Sequence, residues 1–173
     1  WTDGYPKNTD TIAYITNTCS ATAVATPPTF GSLLVGGPAN ATSHANATLS
    51  FGPDAALKAG YLGVRYGSVF AIDGGSLAVS SQMCVGGGAG SSDSGNSIAT
   101  LNCTNVTAST VRIGLNSSGN TLVIGPGAVA KVTGGEELYI GVADGTSNVT
   151  DNHLRIEAGA SLSLGGALFI GSR

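Results

Sequence analysis

Apolar and polar residues alternate along this chain in short bursts, and the bursts recur. The pattern large apolar, any residue, Val or Ile, Gly stands at Leu33-Leu34-Val35-Gly36, Met83-Cys84-Val85-Gly86, Val111-Arg112-Ile113-Gly114, Leu138-Tyr139-Ile140-Gly141 and Leu168-Phe169-Ile170-Gly171. The last four copies begin 28, 27 and 30 residues apart, a period that marks stacked repeat architectures. A degenerate copy, Leu62-Gly63-Val64-Arg65-Tyr66-Gly67, fills the gap after the first. Each copy predicts a three-residue strand with two apolar side chains inward and one outward, and the Gly permits the positive-φ turn that ends it.

Two further short strands lie between copies. In the last repeat they are Leu154-Arg155-Ile156 and Leu162-Ser163-Leu164, separated by Glu157-Ala158-Gly159; Gly165-Gly166 follows. The preceding repeat reads Leu122-Val123-Ile124, Gly125-Pro126-Gly127, Ala130-Lys131-Val132 and Gly134-Gly135, and an earlier one reads Phe70-Ala71-Ile72, Asp73-Gly74-Gly75 and Leu77-Ala78-Val79. Three strands and three corners describe a triangular coil that cannot bury its inner face alone. The fold expected is therefore all-β: a parallel three-sided β-helix of about five to six coils, right-handed by the crossover preference of parallel strands. An antiparallel sandwich also uses short alternating strands, but it does not recur at a coil-like period.

Residues 1–30 do not show the repeat and are expected to form an arm or cap, with 31–173 as the solenoid. Thr11 to Thr16 reads as a short strand, Ala21 to Ala25 as a weaker one, and Pro27-Pro28 closes the segment. At the other end Ser172-Arg173 directly follows a strand and its Gly, so a row of unpaired backbone groups is expected there, of the kind natural proteins cover or pair.

Composition sharpens this picture. Only 10% of residues are charged, well below the roughly 25% of an average soluble domain; the polar surface is Ser, Thr, Asn and 27 Gly, as in turn-rich β proteins. Seven scattered Lys and Arg and a net charge of −3 argue against nucleic acid, which needs clustered cations. No apolar run is long enough for a membrane-spanning helix, so no membrane insertion is expected. The start at Trp1 fits a processed N-terminus left by signal-peptide removal. Cys19, Cys84 and Cys103 are disulfide candidates compatible with an oxidising compartment, or else three small buried residues. Their spacing fits no zinc site.

The wording of the repeat resembles the repeat-rich extracellular β-helices of Gram-negative bacteria: autotransporter passenger domains and the surface proteins of Verrucomicrobia and Planctomycetes that end in a PEP-CTERM sorting signal. The resemblance is carried by Ser117 to Gly141 and again by Asn152 to Gly171, with Asn-x-Leu-x-Ile, Gly-Ala, Gly-Gly and Leu-x-Ile-Gly. It spans residues 67–173 clearly and 31–66 weakly, and it implies an extracellular or cell-surface location. A translocator barrel and a Pro-Glu-Pro anchor, both parts of those families, are not seen in this sequence.

Asn40, Asn46, Asn102, Asn105, Asn116 and Asn148 head Asn-x-Ser/Thr, and Asn17 heads Asn-x-Cys. Eleven Asn in a chain this rich in Ser and Thr give about two or three such sequons by chance, so these are glycosylation candidates, against a reading of Asn and Thr as plain turn and ladder residues. Asp144, Asn148, Asp151 and Asn152, and in an earlier loop Asp93 and Asn96, are oxygen donors for calcium, although solvated loop residues explain them as well. Asp73 and Glu157 follow equivalent strands and invite an acid/base pair for glycoside cleavage; Gly125 occupies the same slot between them, and His44 and His153 stand alone. No active site is expected, and no cofactor. Arg112, Tyr139 and Arg155 point outward as a shallow binding strip for glycans. Ice binding needs a regular Thr-x-Thr array, which the coils lack.

These readings converge on an extracellular structural protein whose partner is itself, assembled head to tail. In that expectation the strand at Thr11 to Thr16, with Ile12 and Tyr14 or Ala13 and Ile15 setting register, lies along the Leu168 to Ile170 edge of a neighbour. The contact is heterologous, so its repetition makes a fibre. A glycan-binding adhesin and a β-helix polysaccharide lyase or hydrolase are the alternatives.

Overall fold

The computed structural model describes residues 12–16, 19–21, 29–37, 46–87, 95–134, 138–143 and 148–171, with the side chains of 19–21 excepted. The described residues are all-β and contain no helix; their strands form two parallel sheets. One sheet has six strands: β2 (Cys19–Ala21), β4 (Thr48–Phe51), β6 (Val69–Asp73), β8 (Ile98–Asn102), β10 (Thr121–Ile124) and β13 (His153–Ile156), each paired with the next. The other has nine. Its main path is β1 (Ile12–Ile15), β3 (Thr29–Val35), β5 (Ala56–Val64), β7 (Ser76–Gly87), β9 (Asn105–Leu115), β11 (Val129–Val132) and β14 (Ser161–Leu164); β12 (Leu138–Ile140) also pairs β9, and β15 (Leu168–Ile170) pairs β12.

The long strands of the nine-stranded sheet bend. Val106 to Ala108 in β9 pairs with β11, whereas Val111 to Ile113 pairs with β12. The ladder breaks register at the same place one and two strands earlier, between Val79 and Gln82 and between Ala59 and Tyr61. In the two last rungs the bend parts the strands completely, at Gly134 and at Gly165-Gly166, where no side chain holds the backbone extended. Among the described residues, each strand of the six-stranded sheet is followed in the chain by one long strand or two short ones of the nine-stranded sheet, and such a set makes one rung.

In-register columns follow from the Leu-x-Ile-Gly repeat. Met83, Val111, Leu138 and Leu168 are successive partners, as are Val85, Ile113, Ile140 and Ile170. The columns run on through Leu62 and Leu33 and through Val64 and Val35. They reach further than the visible repeat does. Ile12–Ile15 pairs with Ser32 to Val35, which sets Ala13 and Ile15 in the same two columns, and Cys19–Ala21 pairs with Leu49 to Phe51. The amino-terminal strand therefore lies on its own chain. Ala replaces the large apolar residue and Thr16 the terminal Gly, which hides this rung in the sequence. The second strand expected near Ala21 to Ala25 is described only as far as Ala21.

These inward residues make one continuous apolar core, from Ala13 and Phe30 at one end to Leu138 and Ile140 near the other. Strand formation by such short segments depends on that stacking, because a two- or three-residue apolar face alone cannot offset its own ordering entropy.

Candidate functional site

The most elaborate polar structure lies where the chain enters the six-stranded sheet. The residues just before β4, β6, β8, β10 and β13 are Ala47, Ser68, Ser97, Asn120 and Asn152, and each is preceded by a left-handed residue: Asn46 (φ 64°), Gly67 (70°), Asn96 (58°), Gly119 (75°) and Asp151 (55°). Only Asn, Asp and Gly occupy that column, the residue types that adopt this conformation at least cost. Side-chain oxygens then tie rung to rung. The Ala47 amide donates to Ser68 Oγ (3.1 Å), the Ser97 amide to Asn120 Oδ1 (3.0 Å) and the Asn120 amide to Asn152 Oδ1 (3.1 Å). Asn120 is fully buried, and its Nδ2 donates to Asn152 Oδ1 (2.9 Å) and Ser117 Oγ (3.0 Å); Asn152 Nδ2 donates to the Ser117 carbonyl (3.0 Å).

The repeat glycines make room for this ladder. A Cβ at Gly86 would lie 2.0 Å from the Asn120 side chain, and one at Gly114 would lie 2.1 Å from Asn152. Positive φ is only half the reason for glycine here (77° and 75°); the sequence reading found that half and missed the close approach. At Gly141 the nearest side-chain atom is Asn152 Nδ2, 3.7 Å from a hypothetical Cβ, so the equivalent niche there is unfilled.

The rung His153 to Ile170 presents its inward residues to solvent. Leu138 is 1% exposed and its column neighbour Leu168 is 47% exposed; for Ile140 and Ile170 the values are 9% and 75%. Ile156 is exposed as well. Of the expected subunit-contact residues, Leu168 and Ile170 lie on this open face, and Ile12 and Tyr14 are exposed on the outer side of β1. Ile15 is buried in its own column. Among the two registers considered for β1, Ala13 and Ile15 form the inward pair.

On the outer side of the bent sheet, one column reads Gly63, Cys84, Arg112, Tyr139 and Phe169. The Arg112 guanidinium lies 5.2 Å from the Tyr139 ring centre, and Tyr139 stacks on Phe169 at 5.3 Å and 14°. Tyr61 covers Gly63, and its hydroxyl accepts from Arg65 Nη2 (3.0 Å). Burial, with help from the Cys84 thiol and against the pull of Arg65, pushes the Tyr61 hydroxyl up to about 12. Cys84, Leu115 and Val142 complete a second small apolar cluster. Arg155 does not join this strip: it belongs to β13 in the other sheet and pairs with Glu157 at 2.8 Å. Phe169, which the sequence reading did not single out, takes its place.

The remaining candidates separate widely. Cys84 and Cys103 are both buried but in different places, the first in the outer cluster and the second in the main core, where burial pushes its thiol up to about 11. The Cys19 side chain lies outside the described residues. Asp73 pairs with Asn102, and the slots after Leu101, Ile124 and Ile156 place Asn102, Gly125 and Glu157 on successive rungs. Two rungs rather than one stand between Asp73 and Glu157, about 14 Å in all, beyond the roughly 5–9.5 Å over which paired carboxylates cleave a glycoside. Asp151 and Asn152 serve the turn and the ladder and Asn96 the turn; Asp93 and Asp144 lie outside the described residues, as do Asn40, Asn17 and His44. Among the described residues no three His, Cys, Asp or Glu side chains group as metal ligands, and no helix is long and apolar enough to cross a membrane.

No protein-family model, curated protein or solved structure matches this chain.

Proposed function

We propose that the chain is a three-sided parallel β-helix with a structural, non-catalytic role outside the cell, a building block that assembles head to tail with copies of itself. The β-helix reading is supported by the bent sheet, which would supply two sides while the six-stranded sheet supplies the third, and by columns that run in register on either side of the bend. The resemblance of Ser117 to Gly141 and Asn152 to Gly171 to extracellular bacterial β-helices supports the location.

One observation carries the assembly. The rung His153 to Ile170 holds the same columns as the rungs beneath it, yet Leu168 and Ile170 stand in solvent. A further rung laid over them would bury those side chains and pair the outer edge of β15, which stabilises the contact through both apolar area and main-chain hydrogen bonds. In the proposed fibre a second copy supplies that rung through the edge of β1 that faces away from β3. Low net charge favours it, since like-charged subunits repel on stacking. Negative-stain electron microscopy of the purified chain tests the reading. Fibres that disappear on Ile170→Lys are expected, and dispersed monomers at every concentration sink it.

A second reading, adhesion, rests on the Arg112, Tyr139 and Phe169 stack. Aromatic faces bind sugar rings, and a glycan array with hits lost on Tyr139→Ala would favour it over the building block.

A further inference from the structure

The sequons divide into two groups by what their asparagines do. Asn46 belongs to the left-handed column, and its Oδ1 lies against Gly67. Asn116 is also left-handed (φ 56°) and half-buried, and the Ser117 that follows it is buried with its hydroxyl accepting from Asn120. Both shape turns. Asn102, Asn105 and Asn148 are exposed, have ordinary backbone conformations, and make no side-chain hydrogen bond to any described residue. Turn chemistry does not explain them.

Their surroundings suit a substituent. Asn102 and Asn105 flank the short connection from β8 to β9, and Thr104, the third residue of the first sequon, is held there by its hydroxyl donating to the Gly75 carbonyl (2.9 Å). The Asn102 carboxamide lies over Gly125 of the next rung, with Oδ1 only 1.6 Å from where a Cβ would stand. Any side chain at 125 would evict it. Glycine at that slot therefore keeps the Asn102 amide in place and the space above it open. The protein has only ten acidic and seven basic residues among 173, so bound sugar would supply polarity that charge does not.

We propose that Asn102, Asn105 and Asn148 carry N-linked glycans and that Asn46 and Asn116 do not. The inference rests on the extracellular part of the proposed function and is independent of fibre formation. In the transfer, a cellular glycosyltransferase joins Asn Nδ2 to C1 of a sugar activated on a polyprenyl or nucleoside diphosphate. The C1–O bond to phosphate breaks, the diphosphate leaves with the electron pair, and the amide gives up one proton; nothing is oxidised or reduced.

Intact mass and peptide mapping of protein isolated from its source organism test this. The expected mass exceeds that of the bare polypeptide by whole sugars, mapped to Asn102, Asn105 and Asn148 with Asn46 and Asn116 bare. A combined Asn102→Gln, Asn105→Gln and Asn148→Gln variant made in the same host should lose that excess and keep its β spectrum. Bare peptides at Asn102, Asn105 and Asn148, or any sugar on Asn46 or Asn116, would overturn the proposal. Micrographs of the same preparation report on assembly separately, so fibres without sugar and sugar without fibres are distinguishable results.

Discussion

Two adjacent rungs of this protein have nearly the same wording and different surroundings. Leu122 to Ile140 and Leu154 to Ile170 match strand for strand, with Leu-Val-Ile against Leu-Arg-Ile in the six-stranded sheet and Leu-Tyr-Ile against Leu-Phe-Ile in the bent one. The first has neighbours on both sides and buries every inward residue. The second has one, and Leu168 and Ile170 stay exposed. Neither local conformation nor side-chain choice separates them: both end in a left-handed glycine, Gly141 (φ 67°) and Gly171 (φ 96°). Stability in this fold is thus a property of the contact between rungs, close to a sum of nearest-neighbour terms.

The largest expected contrast tests the glycines. Gly86→Val drives a side chain into Asn120 at a left-handed position, and overpacking and backbone strain together should cost about 4 kcal/mol. At Gly171 nothing lies within 4 Å of the added Cβ, so Gly171→Val should cost about 1 kcal/mol, from backbone strain alone. Urea unfolding of both variants decides it; equal losses would mean that the conformation, not the niche beside the ladder, requires glycine.

Next come the apolar columns. Leu138→Ala empties a site closed from both sides and should cost about 3 kcal/mol, whereas Leu168→Ala, already half in water, should cost less than about 1 kcal/mol in the dispersed protein. If assembly covers Leu168, that second figure should rise toward the first in fibres, which their dissociation by urea would report.

The smallest contrast concerns the ladder asparagines. Asn120→Ala strands the Ser97 amide in the interior and should cost about 2 kcal/mol, with amide exchange at Ser97 accelerated. Asn152→Ala takes an acceptor from the Asn120 amide and Nδ2, but Nδ2 keeps Ser117 Oγ and the emptied site is half-exposed, so water can enter and a cost of about 1 kcal/mol is expected. A larger loss at Asn152 would show that the last rung is more closed in solution than its exposed side chains imply.

From the residues alone, the alternation of Leu138, Tyr139 and Ile140, the glycine after it and the near-constant spacing determined a parallel stack and set Met83, Val111, Leu138 and Leu168 in one column. Those are local signals: period two sets which side chains face inward, and equal spacing sets which of them meet. Tertiary structure alone decided the rest. That Ile12–Ile15 joins the ladder was hidden because Ala13 and Thr16 break the wording while keeping the register. That Arg155 and Tyr139 lie on different sheets depends on the corner between them. That two rungs part Asp73 from Glu157 depends on the Ile98 to Asn102 strand, whose inward Ala99 is too small to read as a core residue. The pairing of Gly114 with Asn152 joins residues 38 positions apart in the chain. A sequence states each residue's own preference, but a close approach belongs to two residues at once and exists only after the rungs have stacked.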